Sequence, residues 1–197
     1  ADRFRELTRG GRVEEVLAGV DAALAAGLSP VKLNSVLRES SYRVDVPALL
    51  AFAAGKGLEI RFIELMHTGT EAAWALAERV AGARVRDWLA AEGASFAPLP
   101  SPPSSPARRA LVSFRGLEVA TGWIDPVSDA FCGACDRLRL DARGRLRRCL
   151  MDDAALPLVD LLRREQPGVE EAVALFLAGK RPPDAMTIAS PMASIGG

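Results

Sequence analysis

The chain has 197 residues, 49% of them apolar, and its 25 acidic and 25 basic side chains cancel. That length allows one large domain or two small ones with a sizeable core, and the charge balance excludes a whole-molecule field for nucleic acid or an anionic membrane. No apolar run approaches the ~20 residues of a membrane span, and no signal peptide is visible.

In chain order, Val13, Val16, Leu17, Val20 and Leu24 recur at helical spacing, and Gly27 stands where that helix would stop. VKLNSVL (31–37) reads as a strand. Asp45 opens a second helix with Val46, Leu49, Leu50 and Ala53 on its buried side, ended by Gly55 and Gly57, and LEIRFIEL (58–65) is the second strand. Helix, strand, helix, strand with short joins is the order of a parallel α/β layer or barrel. A third helix is expected over 71–92, carrying Trp74 and Trp88. The Pro- and Ser-rich PLPSPPSSP (98–106) is the expected division between units 1–97 and 98–197. Beyond it come short strands at 110–114 and 117–124, a cysteine loop, a hairpin, and helices over 157–166 and 168–179.

The first two strands are too polar for a sheet buried on both faces. Alternation gives Val31, Leu33 and Leu37 to the helix layer and turns Lys32 and Asn34 toward the interior of the sheet or barrel. Glu59 and Arg61 share one face of the second strand. A charge there is costly unless it is paired or meets a ligand. Two readings stand: an internal Lys32–Glu59 or Arg61–Glu59 ion pair, or an anionic ligand in the interior. Met66, His67, Thr68 and Gly69 follow at the strand's C-terminal end, where such folds place their chemistry.

The three cysteines, Cys132, Cys135 and Cys149, stand as C-x2-C-x13-C in a stretch rich in arginine. An odd, closely grouped set points to metal binding in a reducing cytoplasm rather than to a disulfide framework. A structural zinc site needs four ligands, and His67, the only histidine, is the one candidate for a fourth. Three thiolates suit an iron–sulfur cluster that keeps one iron open, with arginines nearby to hold an anion. Arg137-Leu138-Arg139-Leu140 alternates so that both arginines share a face. A turn at 141–144 and a return strand through Arg145 and Arg147 would pair Leu140 with Arg145 and set Asp136 opposite Cys149. Arg143, Arg145, Arg147 and Arg148 are expected to form a solvated or ion-paired hairpin surface.

These stretches carry a resemblance. RFRELTRGGRVEEVLAGVDAALAAGLSPVKLNSV, LEIRFIELM, DPVSDAFCGACDRLRLDARGRLRRCL and the terminal IGG resemble the later part of the GTP 3′,8-cyclases of molybdenum cofactor biosynthesis, a family of radical S-adenosylmethionine enzymes. The resemblance implies an α/β fold: the C-terminal portion of an incomplete (βα)6 TIM-like barrel, followed by a small α+β domain carrying an iron–sulfur cluster. It implies that Cys132, Cys135 and Cys149 ligate a [4Fe-4S] cluster whose open iron takes the guanine of GTP. Arg137, Leu138 and Arg139 would contact GTP, as would Lys32, with Arg61 and Asn34 lining the same cavity. Met66, and Asn34 with it, would touch S-adenosylmethionine. Gly196 and Gly197 would be a tail threading into the active site.

In that family a second [4Fe-4S] cluster, held by C-x3-C-x2-C near the N-terminus, cleaves S-adenosylmethionine. The 5′-deoxyadenosyl radical then takes hydrogen from the ribose of GTP, and the product is 3′,8-cyclo-7,8-dihydroguanosine triphosphate. No C-x3-C-x2-C occurs in these 197 residues. The chain, which opens ADRFREL without Met, is therefore expected to be part of a longer enzyme or to pair with a chain or homodimer partner supplying the rest. Alone, it is expected to be inactive and prone to aggregate at its open strand edges. Asp136 and His67-Thr68 depart from the family's usual Asn and Pro. Alternatives are a truncated, non-catalytic homologue that binds a cluster and a purine nucleotide, or a cluster module of another radical enzyme.

Overall fold

A computed structural model describes residues 2–66, 72–164 and 167–182. A short helix α1 (Asp2–Leu7), which the sequence pattern did not single out, precedes α2 (Val13–Ala25), β1 (Lys32–Val36), α3 (Tyr42–Lys56) and β2 (Glu59–Ile63). Then come α4 (Ala72–Glu78), α5 (Gly82–Ala91), β3 (Ser95–Pro98), β4 (Arg108–Phe114) and β5 (Leu117–Ile124). The remainder holds a 3₁₀ turn (Cys132–Ala134), the short strands β6 (Arg139–Leu140), β7 (Leu146–Arg147) and β8 (Ala155–Leu156), and helices α6 (Leu158–Arg163) and α7 (Val169–Ala178).

The fold is mixed α/β. Five strands form one sheet in the order β1-β2-β5-β4-β3. The pairs β1–β2 and β2–β5 are parallel, and β5–β4 and β4–β3 antiparallel. Strands from both sides of the 98–106 segment thus join the same sheet. A two-residue turn at Arg115-Gly116, both at positive φ, connects β4 to β5, as the primed turns of tight hairpins require.

One face of the sheet is packed. Ile60 and Phe62 of β2, Val112 of β4, and Val119 and Trp123 of β5 meet Tyr42, Val46, Leu50 and Ala53 of α3 and Val85 and Leu89 of α5. Tyr42 meets Trp88 edge-on at 5.5 Å, and Phe62 lies 5.0 Å from Trp123, spacings favourable for aromatic pairs. The expected buried side of the second helix is the one observed. Its start moves three residues upstream of Asp45, to Tyr42, because the Ser41 hydroxyl donates to the Asp45 carboxylate at 2.6 Å and closes the first turn.

The expected single helix over 71–92 is two helices. Glu78 is pulled back by the Ser40 backbone N–H and hydroxyl and by Arg38. Buried Val80 follows, and the Gly82 N–H then donates to Asp125 at 2.8 Å. These anchors require a bend that helical periodicity does not reveal.

Candidate functional site

The other face of the sheet carries the polar side chains. Lys32, Asn34 and Val36 stand exposed on β1, while Leu33 and Ser35 turn toward the helices. On β2, Glu59 is 6% exposed and is bracketed by Arg61 Nε at 3.0 Å and Arg109 Nη2 at 2.8 Å. The Arg61–Glu59 pair is thus present, with Arg109 from β4 as a second partner that the sequence did not indicate. Lys32 is Glu59's neighbour in the strand register rather than its ion-pair partner.

Burial pushes the Glu59 carboxyl upward, but hydrogen bonds and charge from Arg61 and Arg109 outweigh it and hold the group below its ordinary 4.5. A depressed folded-state value means stability that is present above about pH 4.5 and lost as pH falls through the folded value. Glu59→Gln is therefore expected to flatten the acid side of the stability curve, seen as a smaller drop in Tm between pH 5 and pH 3 than in the unmodified chain. An equal drop in both proteins rules this out.

Beyond β2, Glu64 has a fully buried carboxylate. One of its oxygens accepts from the Val127 N–H at 3.0 Å, the Ser128 N–H at 2.8 Å and the Ser128 hydroxyl at 3.1 Å. Arg79 approaches the other oxygen at 3.4 Å. The segment that leads to the first cysteine is thereby tied to the end of β2. In the 3₁₀ turn that follows, the Cys135 N–H donates to the Cys132 carbonyl at 3.2 Å, which folds the two thiols of C-x2-C toward each other.

The hairpin then returns the third thiol, in a register one residue away from the expected one. Leu140 pairs with Leu146, and Arg139 with Arg147. Counting on by this register sets Arg137, not Asp136, across from Cys149. The cause is Asp141, whose carboxylate accepts the N–H groups of both Arg143 and Arg145 and closes a five-residue turn. Gly144 sits at φ 72° in that turn, a conformation favourable to glycine. Arg145 and Arg147 also face Asp141, and Arg147 is 5% exposed, so these two hairpin arginines are ion-paired and one of them is buried.

Strand face and cysteine segment enclose a cavity of about 380 Å³. Cys132, Cys135 and Cys149, all free thiols, line it with Asn34, Arg61, Met66, Arg137 and Arg139. Met66 also packs on Met151, beside Cys149 and Leu150. Two expected residues stand apart: Lys32 is exposed further along the Asn34 face, and Leu138, just before β6, is 43% exposed and outside the cavity lining. His67, Gly196 and Gly197 lie outside the described residues. The sequence reading missed Lys180 and Arg181, which line the same cavity from beyond α7. For Lys180 the one available signal was that lysine is rare here, three in 197 residues.

The thiols sit in a cationic setting. Lys180 Nζ lies 3.6 Å from Cys135 Sγ, and the Arg137 guanidinium stacks 4.7 Å over Phe131. Burial, then the nearby Cys149 and Cys135, push the Cys132 thiol above its ordinary value, partly offset by Arg137. Burial acts the same way on Cys135, but hydrogen bonds from Arg137 and the charges of Arg137 and Lys180 hold that thiol below its ordinary value. Among the described residues, no group of three or more His, Cys, Asp or Glu side chains is arranged so that it could hold a metal ion. The donor chemistry nevertheless fits an iron–sulfur cluster: three thiols converge on one cavity, and cations stand ready to balance a sulfide-rich anion.

The Molybdenum Cofactor Synthesis C family matches residues 58–185. The chain is similar to a GTP 3′,8-cyclase of Pelotomaculum thermopropionicum, 37% identical over 90% of this chain and 54% of that protein. It is similar to a GTP 3′,8-cyclase of Paenarthrobacter nicotinovorans, 38% identical over 82% of this chain and 48% of that one. A third relative is GTP 3′,8-cyclase 1 of Pseudomonas aeruginosa, 39% identical over 82% of this chain and 49% of that one. The chain spans about half the length of the curated relatives it matches.

Proposed function

The chain belongs to the Molybdenum Cofactor Synthesis C family, and from that premise we propose that it is the GTP-binding, cluster-bearing part of a GTP 3′,8-cyclase. One observation carries the reading: three cysteine thiols and the guanidiniums of Arg137, Arg139 and Arg61 line a single cavity between the cysteine segment and the sheet. Residues 1–97 would be part of an incomplete TIM-like barrel, and residues 98–197 the cluster- and GTP-binding portion.

Cys132, Cys135 and Cys149 would hold a [4Fe-4S] cluster. With only three protein thiolates, such a cluster offers one iron as a Lewis-acid position for a purine. The chain's own residues bind and orient. Arg137 and Arg139, from one face of β6 and the segment before it, supply forked donors matched to phosphate oxygens or to a base edge. Glu59, shared with Arg109, fixes the Arg61 side chain against the strand, so little rotamer freedom remains to be lost when an anion arrives. Asn34 and Met66 complete the wall toward the barrel side, where S-adenosylmethionine would lie.

The C-x3-C-x2-C motif that would cleave S-adenosylmethionine is not within these 197 residues. On this reading, further polypeptide, in the same chain or a companion, supplies it and covers the open sheet face. The setting would be the cytoplasm, where thiols stay reduced. No helix among the described residues is long and apolar enough to cross a membrane.

The test is anaerobic reconstitution with iron and sulfide followed by titration with GTP. Replacing Arg137 and Arg139 together by alanine is expected to raise the Kd for GTP at least about 100-fold, because each charge-assisted contact contributes about 1.5–3 kcal/mol. Iron content should stay as in the unmodified chain. Unchanged GTP affinity removes both arginines from the substrate site.

A further inference from the structure

We propose that Lys180 is a positioning residue of the cysteine centre, a cation that holds the Cys135 sulfur and the Arg137 backbone together and tunes whatever iron–sulfur cluster those cysteines carry. The proposal rests on the cluster reading above and extends it to a residue that comes from a separate element. Lys180 follows α7, 45 residues from Cys135 in sequence. Its ammonium nevertheless reaches Cys135 Sγ at 3.6 Å and donates to the Arg137 carbonyl. Two of its three N–H donors are thus directed at the segment that carries both a metal ligand and a substrate arginine.

Lys180 owes its position to Arg148, the residue before Cys149. The Arg148 guanidinium pairs with Asp152 at 2.7 Å, lies 4.9 Å over the Phe176 ring and donates to the Gly179 carbonyl at 2.7 Å. A Cβ on Gly179 would meet that guanidinium, so with any larger residue there the Arg148 side chain would have to shift to keep its hold on the end of α7. The clamp therefore fastens α7 to the arm of the third cysteine, and the next residue delivers a cation to the second. Cys135, Cys149 and Arg137 become parts of one assembly.

A cation beside a ligating sulfur acts on the cluster as well as on the fold. Hydrogen bonds to the sulfurs and local charge are the main means by which a protein sets a cluster's reduction potential. Reduction adds negative charge, which a neighbouring ammonium stabilises. Removing the charge makes reduction harder. Arginine at the same position keeps the charge and can still donate to sulfur.

The experiment compares the full chain with Lys180→Met, Lys180→Arg, Arg148→Gln and, as a control on a distant surface pair, Lys56→Met. Each is reconstituted anaerobically with iron and sulfide. Thermal unfolding, iron per chain and the midpoint potential of the cluster are then measured. Lys180→Met is expected to keep its melting temperature and shift the potential to more negative values. Lys180→Arg should restore the potential, and Arg148→Gln should give a smaller shift in the Lys180→Met direction. Lys56→Met should match the unmodified chain. A Lys180→Met protein that fails to load while Lys180→Arg loads also supports the need for charge. The proposal is overturned if Lys180→Met loads with an unshifted potential, or if Lys180→Arg behaves like Lys180→Met. If the unmodified chain takes up no iron, the cluster reading itself falls and this one with it. Loading and a potential that are both indifferent to residue 180 leave the cluster reading intact and remove only Lys180.

Discussion

Cys149→Ala is expected to abolish iron uptake, from about four irons per reconstituted chain for a [4Fe-4S] cluster to background. Cys132 and Cys135 belong to one tight turn, closed by a 3.2 Å backbone hydrogen bond, and two thiols from a single turn can grip only one side of a cluster. Cys149 is the only thiol from another arm, and the geometry around it is specific. The Met151 N–H donates to its sulfur at 3.3 Å, and Cys149 packs with Met66 and Leu150 against buried Met151. Iron and acid-labile sulfide analysis, with the absorbance near 400 nm as a second readout, gives the answer. Any response of that absorbance to GTP should vanish in the same variant. Since alanine for a half-buried cysteine leaves only a small void, unfolding should not account for the loss, and circular dichroism checks this. A Cys149→Ala chain that still takes up a full complement of iron would falsify the three-thiol centre. One that takes up zinc but no iron would point to a different metal.

The sequence revealed some parts of this molecule more readily than others, for physical reasons. β1 and β2 were legible because a sheet covered on one face alternates: Leu33, Ile60 and Phe62 face the helices, while Lys32, Asn34, Glu59 and Arg61 face away. The α3 packing face was legible because Val46, Leu50 and Ala53 repeat at helical spacing. The cysteine spacing suggested a hairpin that returns Cys149 beside Cys132 and Cys135, and the three line one cavity with Arg137 and Arg139, although the register that suggested it was one residue off. What stayed hidden depends on long-range partners. Arg109 reaches Glu59 across 50 residues of chain, and Lys180 reaches Cys135 across 45. No local pattern encodes either contact. The hairpin slipped by one residue because the Asp141 side chain can hold a five-residue turn as readily as the sequence suggested four, and in a strand one residue exchanges the two faces. The break between α4 and α5 was invisible because the acceptor for the Gly82 N–H is Asp125, just past a strand that comes later in the chain.

Glu64→Ala is the substitution expected to destabilise the fold most, by about 3–5 kcal/mol, the range for removing one partner from a buried charged network. The Glu64 carboxylate is fully buried, and it answers two backbone N–H groups and a hydroxyl from residues 127 and 128. Without it the Val127 and Ser128 N–H groups lose a fully buried acceptor, at about 1–3 kcal/mol for each that stays unpaired, while the hydroxyl of Ser128, an exposed residue, can turn to water. Arg79 adds less, because its side chain is 35% exposed and solvent can take over. For a chain whose whole stability is on the order of 5–15 kcal/mol, the change is large, and its location matters more than its size. The freed segment is the approach to Cys132, so the cysteine turn should lose its tether to β2 even where the sheet survives. Urea unfolding should show a lower midpoint with an unchanged slope, and hydrogen exchange should rise first at Val127 and Ser128. Glu64→Gln separates acceptor from charge: its carbonyl can replace the oxygen that serves residues 127 and 128, but its amide then faces Arg79 donor to donor. It should cost less than alanine, about 1–3 kcal/mol, and should leave iron uptake closer to that of the unmodified chain. If both variants unfold within about 1 kcal/mol of the unmodified chain, the path from β2 to the cysteines is held by something other than Glu64.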